Sequence, residues 1–330
     1  ILNLFLTICV AELRLYLFSA LFASVPLFAS GSNDIKVPAE QTGTELPGNV
    51  ADFDDSFIKK TLPLKDFNKI SVENEIKIYY TNGSKYSVEF EGSESDFNAL
   101  SFDVYGKTLV IGVSSGEDGG RSSIDDCSLY ITAPSITEIS NIGSLNFYAK
   151  DMKTDSLTIA NKSTMNLNID NLKTGPLRIV NSGSMEVGGQ FNTGSFNLKN
   201  RAAYSSDADL NVSGDIVVDN IASDASSGKI VARNVVWNCR GTDECDIDVS
   251  ADKFVLNILG SGHISGQFKG NAVNIKCNGS AQVDMNVDCS NLTAKVNGSG
   301  NLVLSGTADK TDIGGNGISR VDTSRLNNFD

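Results

Sequence analysis

Few side chains in this chain are of the types that usually perform catalysis. Its 330 residues include a single histidine, His263. No second histidine is present to complete a metal-binding trio, and no Gly-x-Ser-x-Gly or Ser-His-Asp phrase surrounds His263. The residue stands at a polar position in an alternating apolar segment, Ile264 being its apolar neighbour. We therefore expect His263 to be a solvated surface side chain.

Carboxylates offer the stronger chemical alternative. Polysaccharide lyases and hydrolases use clusters of Asp, or Asp with Lys or Arg, on one outer face, and the candidates here are Asp246, Asp248 and Asp284. Asp246 and Asp248 alternate with Ile247 and Val249, however, as solvated positions of a half-buried strand do. The sequence favours a protein that is not an enzyme, and a polysaccharide lyase or hydrolase remains the alternative.

The cysteines do not form a metal-binding pattern. Five of them follow residue 30: Cys127, Cys239, Cys245, Cys277 and Cys289. No Cys-x-x-Cys or Cys/His spacing typical of zinc is present, so we expect no metal and no other cofactor. Cys277 alternates with apolar residues, which predicts a buried thiol. Cys239 and Cys245 flank one corner and could form a disulfide in an oxidising compartment.

A repeated phrase determines the elements that carry these residues. From Ser135 to Asn327, an apolar alternation, an Asn-Gly-Ser phrase or a relative, and a second alternation recur about every 19 or 20 residues. Alternation with a period of two predicts strands with one buried face, and a fixed period of this length predicts stacked units. The predicted fold is therefore all-β: a right-handed, single-stranded parallel β-helix with about 19–20 residues per coil.

Aligning the copies on the corner gives columns of equivalent positions, and a one-residue slip would exchange their faces. The first apolar column comprises Phe147, Leu167, Val187, Ile264, Val283, Leu302 and Val321. The second comprises Leu157, Leu177, Phe196, Ile216, Val236, Phe254, Val273 and Leu292. A polar row precedes the first column and comprises Asn146, Asn166, Glu186, His263, Gln282, Asn301 and Arg320. We expect this row to point outward and to be the candidate ligand-binding surface.

Two segments interrupt the alternation. Residues 201–209 (RAAYSSDAD) and 221–228 (IASDASSG) are polar where the other copies are apolar. They are interpreted as loops that protrude from the coil, around Tyr204 and Asp224. Loops of this kind are common places for binding.

The remainder of the chain differs from the repeats. Leu15 to Ala29 is an apolar run of signal-peptide length, and an uncleaved membrane anchor is the alternative. The predicted organisation is a signal peptide at 1–30, a flexible linker at 31–55, an N-terminal β cap with irregular first coils at 56–134, and the repeat β-helix at 135–327. A cap is expected because the first coil otherwise exposes an open sheet edge.

The overall charge argues against nucleic acid as a partner. The chain has 27 basic and 40 acidic residues, a net charge of −13. A field of this sign repels nucleic acid and anionic lipid surfaces. The balance is typical of an exported soluble protein.

Several of these segments together resemble a known family. FNKISVENEIKIYY, KYSVEFEG, GKTLVIGV and LYITAPSITEISNIGSLNF are similar to the putative auto-transporter adhesin, head GIN domain family. Phe67 and Ile70, Leu109 and Ile111, Pro134, Ile136 and Ile139, and the Gly-Ser-Gly corners at 260–262 and 298–300 match its pattern. The corner at 143–145 departs from it, with Leu145 in place of the second glycine. The resemblance covers about residues 57–321 and implies an exported bacterial β-helix, common in Bacteroidota, at or near the cell surface. It supplies no binding residues.

Three functional hypotheses follow from the sequence. The leading one is an exported, non-enzymatic adhesin or recognition protein whose partner is a glycan or a protein at the cell envelope or host surface. It would reside at the cell surface, the outer membrane or in the periplasm. A polysaccharide-active enzyme and a purely structural envelope protein are the alternatives.

Overall fold

The computed structural model describes residues 56–114, 127–316 and 319–328. The predicted signal peptide and linker therefore lie outside the described residues. Within that part, the elements in chain order are β1 (Phe57–Leu62), β2 (Lys69–Val72), β3 (Glu75–Asn82), β4 (Ser87–Ser93), α1 (Glu94–Ala99), β5 (Leu100–Tyr105), β6 (Thr108–Val113), β7 (Ser128–Ala133), β8 (Glu138–Asn141), β9 (Ser144–Lys153), β10 (Leu157–Asn161), β11 (Thr164–Asn181), β12 (Ser184–Asn200), β13 (Ala203–Ser206), β14 (Asp209–Val212), β15 (Asp215–Asn220), β16 (Ser223–Cys239), β17 (Thr242–Ile258), β18 (Ser261–Cys277), β19 (Ser280–Val296), β20 (Asn301–Gly315) and β21 (Arg320–Asn328).

The repeats form a parallel β-solenoid of about 10 turns, which confirms the predicted fold class. Each coil pairs in parallel with the coil before it and the coil after it. In the second apolar column, for example, Leu157 pairs with Leu177 and Leu177 with Phe196. These partners are 20 and 19 residues apart along the chain, as the sequence period predicts.

The first apolar column lies inside the solenoid in two groups, with Ser206 and Ser226 at equivalent positions between them. Leu167 pairs with Phe147 and with Val187, and Val283 pairs with Ile264. All of these side chains are buried. The next residue on each strand points outward. Each coil of the two groups therefore contributes one apolar side chain of this column to the interior, stacked on that of the coil before it.

The second column contains one wrong assignment. The sequence pattern predicts that Val236 points inward, but Val235 occupies that place, pairing with Ile216 and with Phe254. Val235 is fully buried, whereas Val236 lies on the outer surface. Two adjacent valines satisfy an apolar template equally well, so only the register of the neighbouring coils distinguishes them.

The two predicted protruding loops are also wrong. β13 and the start of β16 pair in parallel across these segments, and Tyr204 aligns with Met185 and with Asp224. Tyr204 and Asp224 are both buried. The alternation of inward and outward residues continues through these coils. Its inward positions are Tyr204, Ser206, Asp224 and Ser226, and a search for alternating apolar residues does not detect them.

A ladder of asparagines runs inside one corner of the solenoid. Its members are Asn141, Asn161, Asn181, Asn200 and Asn220, all fully or almost fully buried. Each side-chain amide from Asn141 to Asn200 donates to the Oδ1 of the next asparagine at 2.8–2.9 Å. Each also donates to a backbone carbonyl of the corner and accepts from a corner N–H. The ladder satisfies buried backbone groups where the chain turns, which strands alone cannot do.

The ladder ends at a carboxylate. The position after Asn220 in this column is Cys239, and Ile258, Cys277 and Val296 follow it. Cys239 has no amide oxygen to accept a hydrogen bond from Asn220. The side-chain amide of Asn220 instead donates to the carboxylate of Asp243. Beyond this point the same interior column is apolar. Asp243 therefore marks the change from a polar to an apolar corner.

Close stacking of the corners explains two of the glycines in the repeated phrase. A Cβ at Gly183 would lie 2.0 Å from the carbonyl oxygen of Ser163, and one at Gly241 would lie 1.8 Å from that of Ala222. Neither glycine has a positive φ. Contact with the preceding coil excludes a side chain at both corners, so close approach of the chain, and not backbone conformation, requires glycine there.

Residues 56–114 and 127–133 precede the regular coils at the N-terminal end of the solenoid. β2 and β3 pair in parallel with β8 and β9, and so begin the first coil. β4 then runs antiparallel to β7, β1 antiparallel to β4, and β5 antiparallel to β6. These reversed strands cover the edges that the first coil would otherwise expose.

The described cysteines are all buried, and Cys239 and Cys245 are not joined by the disulfide that their sequence positions allowed. Burial raises the pKa of both thiols above the ordinary value, which leaves them protonated. In the described part of the chain, the helical structure includes no segment of the length and apolarity required to cross a bilayer.

Candidate ligand-binding face

The predicted polar row lies along one outer side of the solenoid, here called the front face. It consists of the outward side chains of the first strand of each coil. Asn166 pairs with Asn146 and with Glu186, and Gln282 pairs with His263 and with Asn301, which pairs with Arg320. All seven predicted residues are at least partly exposed. The structure thus places them on one face, in two groups.

Sequence reasoning missed the residues between the two groups. Glu186 is followed in the row by Ser205, Ala225 and Glu244, and Glu244 pairs with His263. Four rungs therefore separate Glu186 from His263, roughly 19 Å at the spacing of paired strands. Two of the missing members, Ser205 and Ala225, belong to the segments whose sequences predict loops, and correct alignment of Tyr204 with Met185 would have identified them.

The small side chains in the middle of the row leave a depression. Ser205 and Ala225 stand between the longer Glu186 and Glu244, and the space has a volume of about 340 Å³. Ser184, Ala203, Ser223 and Thr242 line one side of it. Its exposed charges are the two carboxylates, so it suits a ligand that donates hydrogen bonds or carries an amine.

Two more carboxyl groups lie inside the coil behind this depression. Asp224 and Asp243 are buried and occupy equivalent places on adjacent coils. Burial raises the pKa of Asp224 to about 7, although the hydroxyl of Ser226 donates to its Oδ1 at 2.5 Å and opposes this rise. Burial also raises the pKa of Asp243. The interior behind the depression is thus less charged near neutral pH than its sequence indicates.

The C-terminal part of the front face carries a hydrogen-bond network. Asp284 accepts from the side-chain amide of Gln282 at 2.7 Å and lies 3.0 Å from Nε2 of His263. Ser265 donates to Asp246 at 3.0 Å. Asp246, Ser265 and Asp284 follow one another on successive coils, so the two carboxylates are about 10 Å apart along the axis. Asp248 lies on the next outward position of the strand, beside Gln267.

The N-terminal part carries three stacked tyrosines. The ring centroid of Tyr79 lies 5.0 Å from that of Tyr130 and 5.2 Å from that of Tyr148. Nζ of Lys59 lies 5.9 Å from the Tyr130 ring centroid. Because the ring faces largely cover each other, the stack stabilises the first coils through aromatic contacts and presents mainly ring edges to a ligand.

The described residues contain no cluster of three or more His, Cys, Asp or Glu side chains that could hold a metal ion.

Comparison with known proteins identifies a family for the chain. The family model described as putative auto-transporter adhesin, head GIN domain, matches residues 66–230 and again 205–329. The chain belongs to this family. Two overlapping matches cover nearly the whole solenoid, so the chain carries more coils than one match spans. No curated protein matches the chain significantly in sequence.

Several solved structures are similar to the chain. A putative adhesin from Bacteroides fragilis NCTC 9343 is 18% identical, with a TM-score of 0.45, covering 70% of this chain and 97% of its own. A putative adhesin from Parabacteroides merdae ATCC 43184 is 18% identical, with a TM-score of 0.34 and coverages of 82% and 96%. A putative lipid binding protein from Parabacteroides distasonis ATCC 8503 is 17% identical, with a TM-score of 0.37 and coverages of 84% and 98%.

Proposed function

We propose that the chain is an exported, non-enzymatic recognition protein of the adhesin type, whose front face binds a glycan or protein at the cell envelope or host surface. The depression between Glu186 and Glu244 supports this proposal most directly. It lies on the row of exposed polar side chains, between strands that pair in parallel with the coils on both sides. Membership of an adhesin family supports the exported location.

A rigid support makes such a face suitable for recognition. The strands that carry Glu186 and Glu244 are held by parallel pairing on both sides. Their outward side chains therefore keep fixed spacing along the axis, and little backbone entropy is lost when a ligand binds. The acidic rim favours amino sugars, hydroxyl-rich sugars or basic peptide segments as ligands.

Filling the depression provides the test. Ser205→Tyr combined with Ala225→Arg places large side chains at two exposed positions, so the fold should be retained. Binding of the purified chain is measured on an array of neutral, amino and acidic oligosaccharides and on envelope fractions. Asn192→Arg, at an exposed position on another side, is the matched control. We expect the double variant to lose binding that the control retains, and equal binding by the two variants would refute the assignment of the depression.

The enzyme hypothesis remains a second candidate because Asp246 and Asp284 share one outward row. A separation near 10 Å is close to the range of inverting glycosidases, roughly 6.5–9.5 Å. Incubation of the chain with a panel of polysaccharides, followed by assay of new reducing ends and unsaturated products, tests this directly. Turnover that Asp246→Asn and Asp284→Asn each abolish would establish the enzyme and overturn the non-enzymatic proposal.

A further inference from the structure

A second exposed row, here called the corner row, lies outside the asparagine ladder. Its members each follow an inward corner residue by one position: Ile142, Lys162, Ser182, Arg201, Ile221, Arg240 and Leu259. From Lys162 onward, the backbone N–H of each donates to the carbonyl of the inward corner residue one coil earlier, at 2.8–3.0 Å. The seven residues therefore occupy equivalent places on seven consecutive coils.

The cations of this row occupy alternate coils. Lys162, Arg201 and Arg240 are separated from one another by two coils, roughly 10 Å at the spacing of paired strands. All three are exposed, and no ion pair or side-chain hydrogen bond within the described residues involves them. An evenly spaced line of unpaired cations contrasts with the net charge of −13 of the whole chain.

Apolar side chains share the row with the cations. Ile142, Ile221 and Leu259 are 54%, 45% and 58% exposed. Ile221 lies between Arg201 and Arg240, one coil from each. The row thus alternates charge with a small apolar surface, a pattern that suits a ligand having both anionic groups and C–H faces.

A depression beside Arg240 adds polar groups to the row. Its volume is about 410 Å³, and its lining includes Arg240, Leu259 and Lys276. Two side-chain amides also line it: Asn238 donates to Asp219 at 2.7 Å, and Asn257 donates to Asn238 at 2.9 Å. Asp219 is the one carboxylate in the lining, and its Oδ1 is already a hydrogen-bond acceptor. Amides between two cations can bind both the hydroxyls and the carboxylate of an acidic sugar.

We propose that the corner row binds a linear acidic polysaccharide that carries one carboxylate or sulfate in each disaccharide. Its acidic groups pair with Lys162, Arg201 and Arg240, its sugar C–H faces contact Ile221 and Leu259, and one sugar occupies the depression beside Arg240. This site is separate from the front face, and its existence does not depend on the function proposed for that face.

Other polyanions fit the row less well. Nucleic acid carries one phosphate about every 3.4 Å along a strand and is usually bound with aromatic stacking, whereas the corner row has sparse cations and no aromatic residue. An anionic membrane requires a contiguous apolar surface, but the exposed apolar side chains of the row are separated by polar ones. The acidic remainder of the chain would also be repelled by a broad anionic surface.

The test uses the full chain and hyaluronan oligosaccharides, which carry one carboxylate per disaccharide, with dextran as the neutral polymer. The variant is Lys162→Gln with Arg201→Gln and Arg240→Gln. Its matched control is Lys173→Gln with Lys229→Gln and Lys253→Gln, which removes the same charge from exposed positions elsewhere. We expect the row variant to weaken hyaluronan binding by about tenfold or more and to flatten its salt dependence, since three charge contacts are lost. The control should change binding by less than about twofold.

Three outcomes would overturn the proposal. These are absence of hyaluronan binding by the unaltered chain, equal weakening by the two triple variants, and binding to phosphatidylglycerol vesicles without binding to hyaluronan. The depression variant Ser205→Tyr with Ala225→Arg separates this site from the front face. Hyaluronan binding that this variant retains supports the corner row even if the front face proves inactive.

Discussion

Substitution of a single ladder asparagine tests the internal energetics of the solenoid. Asn181 is fully buried and makes four hydrogen bonds: its amide donates to Asn200 Oδ1 and to the carbonyl of Ala203, and its Oδ1 accepts from Asn161 and from the N–H of Gly183. Asn181→Asp preserves shape and both accepted bonds. It replaces the donating amide with an oxygen that faces two acceptors.

The expected cost follows from these contacts. An ionised carboxylate at this position would be buried with two acceptors at hydrogen-bond distance, and an uncompensated buried charge costs about 3–5 kcal/mol. Protonation supplies one donor, so it restores one of the two lost bonds. Burial should therefore raise the pKa of the new carboxyl above the ordinary value of about 4. Because the folded state then binds the proton more tightly than the unfolded state, stability should fall as pH rises above about 4.

Urea unfolding followed by circular dichroism at pH 4 and at pH 8 provides the assay. The control is Asn192→Asp, at an exposed position that accepts from Asn211 at 3.0 Å and can still accept as a carboxylate. Its free energy of unfolding should change by less than about 0.5 kcal/mol. The reasoning is refuted if the two variants are equally stable, or if the loss at Asn181 is the same at both pH values.

Two further predictions concern buried positions. Burial raises the pKa of Asp224 to about 7, so its contribution to the free energy of unfolding is lost as pH rises from about 4 through 7. Asp224→Asn should remove this decline. Relative to the unaltered chain, its free energy of unfolding should increase by at most about 4 kcal/mol at pH 8 and by little at pH 4. Thermal unfolding across that pH range checks the sign, and a variant that gains nothing at pH 8 contradicts it. Val283→Asp should cost several kcal/mol because Val283 is buried, whereas its exposed neighbour Gln282→Ala should cost about 0.5 kcal/mol or less; similar urea midpoints for the two would contradict the register.

Sequence alone could predict the fold because the same alternation of inward apolar and outward polar residues recurs in most copies of the repeat. Leu167 and Val283 stand in equivalent places of many copies, so an error in one copy is corrected by the others. Val236 shows the limit, since two adjacent valines leave the register ambiguous within a single copy. Tyr204 and Asp224 show another limit, because a hydrogen-bonded polar residue can occupy an inward position that an apolar template rejects.

The candidate surfaces were predictable only in part. The polar row is visible in the sequence as a column, but the depression depends on Ser205 and Ala225, which belong to the misassigned coils. The ladder is present in the sequence as asparagines that precede five successive corners, a pattern that turn chemistry alone also explains. Had Asn161 and Asn181 been recognised as inward residues, the residue after each, including Lys162, would have marked the corner row.

Parallel pairing of successive coils places equivalent surface residues one strand spacing apart along the solenoid axis. Duplicating or deleting a single 19-residue unit would leave every remaining contact in register, since each coil pairs only with its neighbours. If the unit lies between two charged surface residues, the change would alter the distance between them by about 4.8 Å. Two homologues with the same charged residues but different numbers of coils between them would thus match polymers of different repeat length.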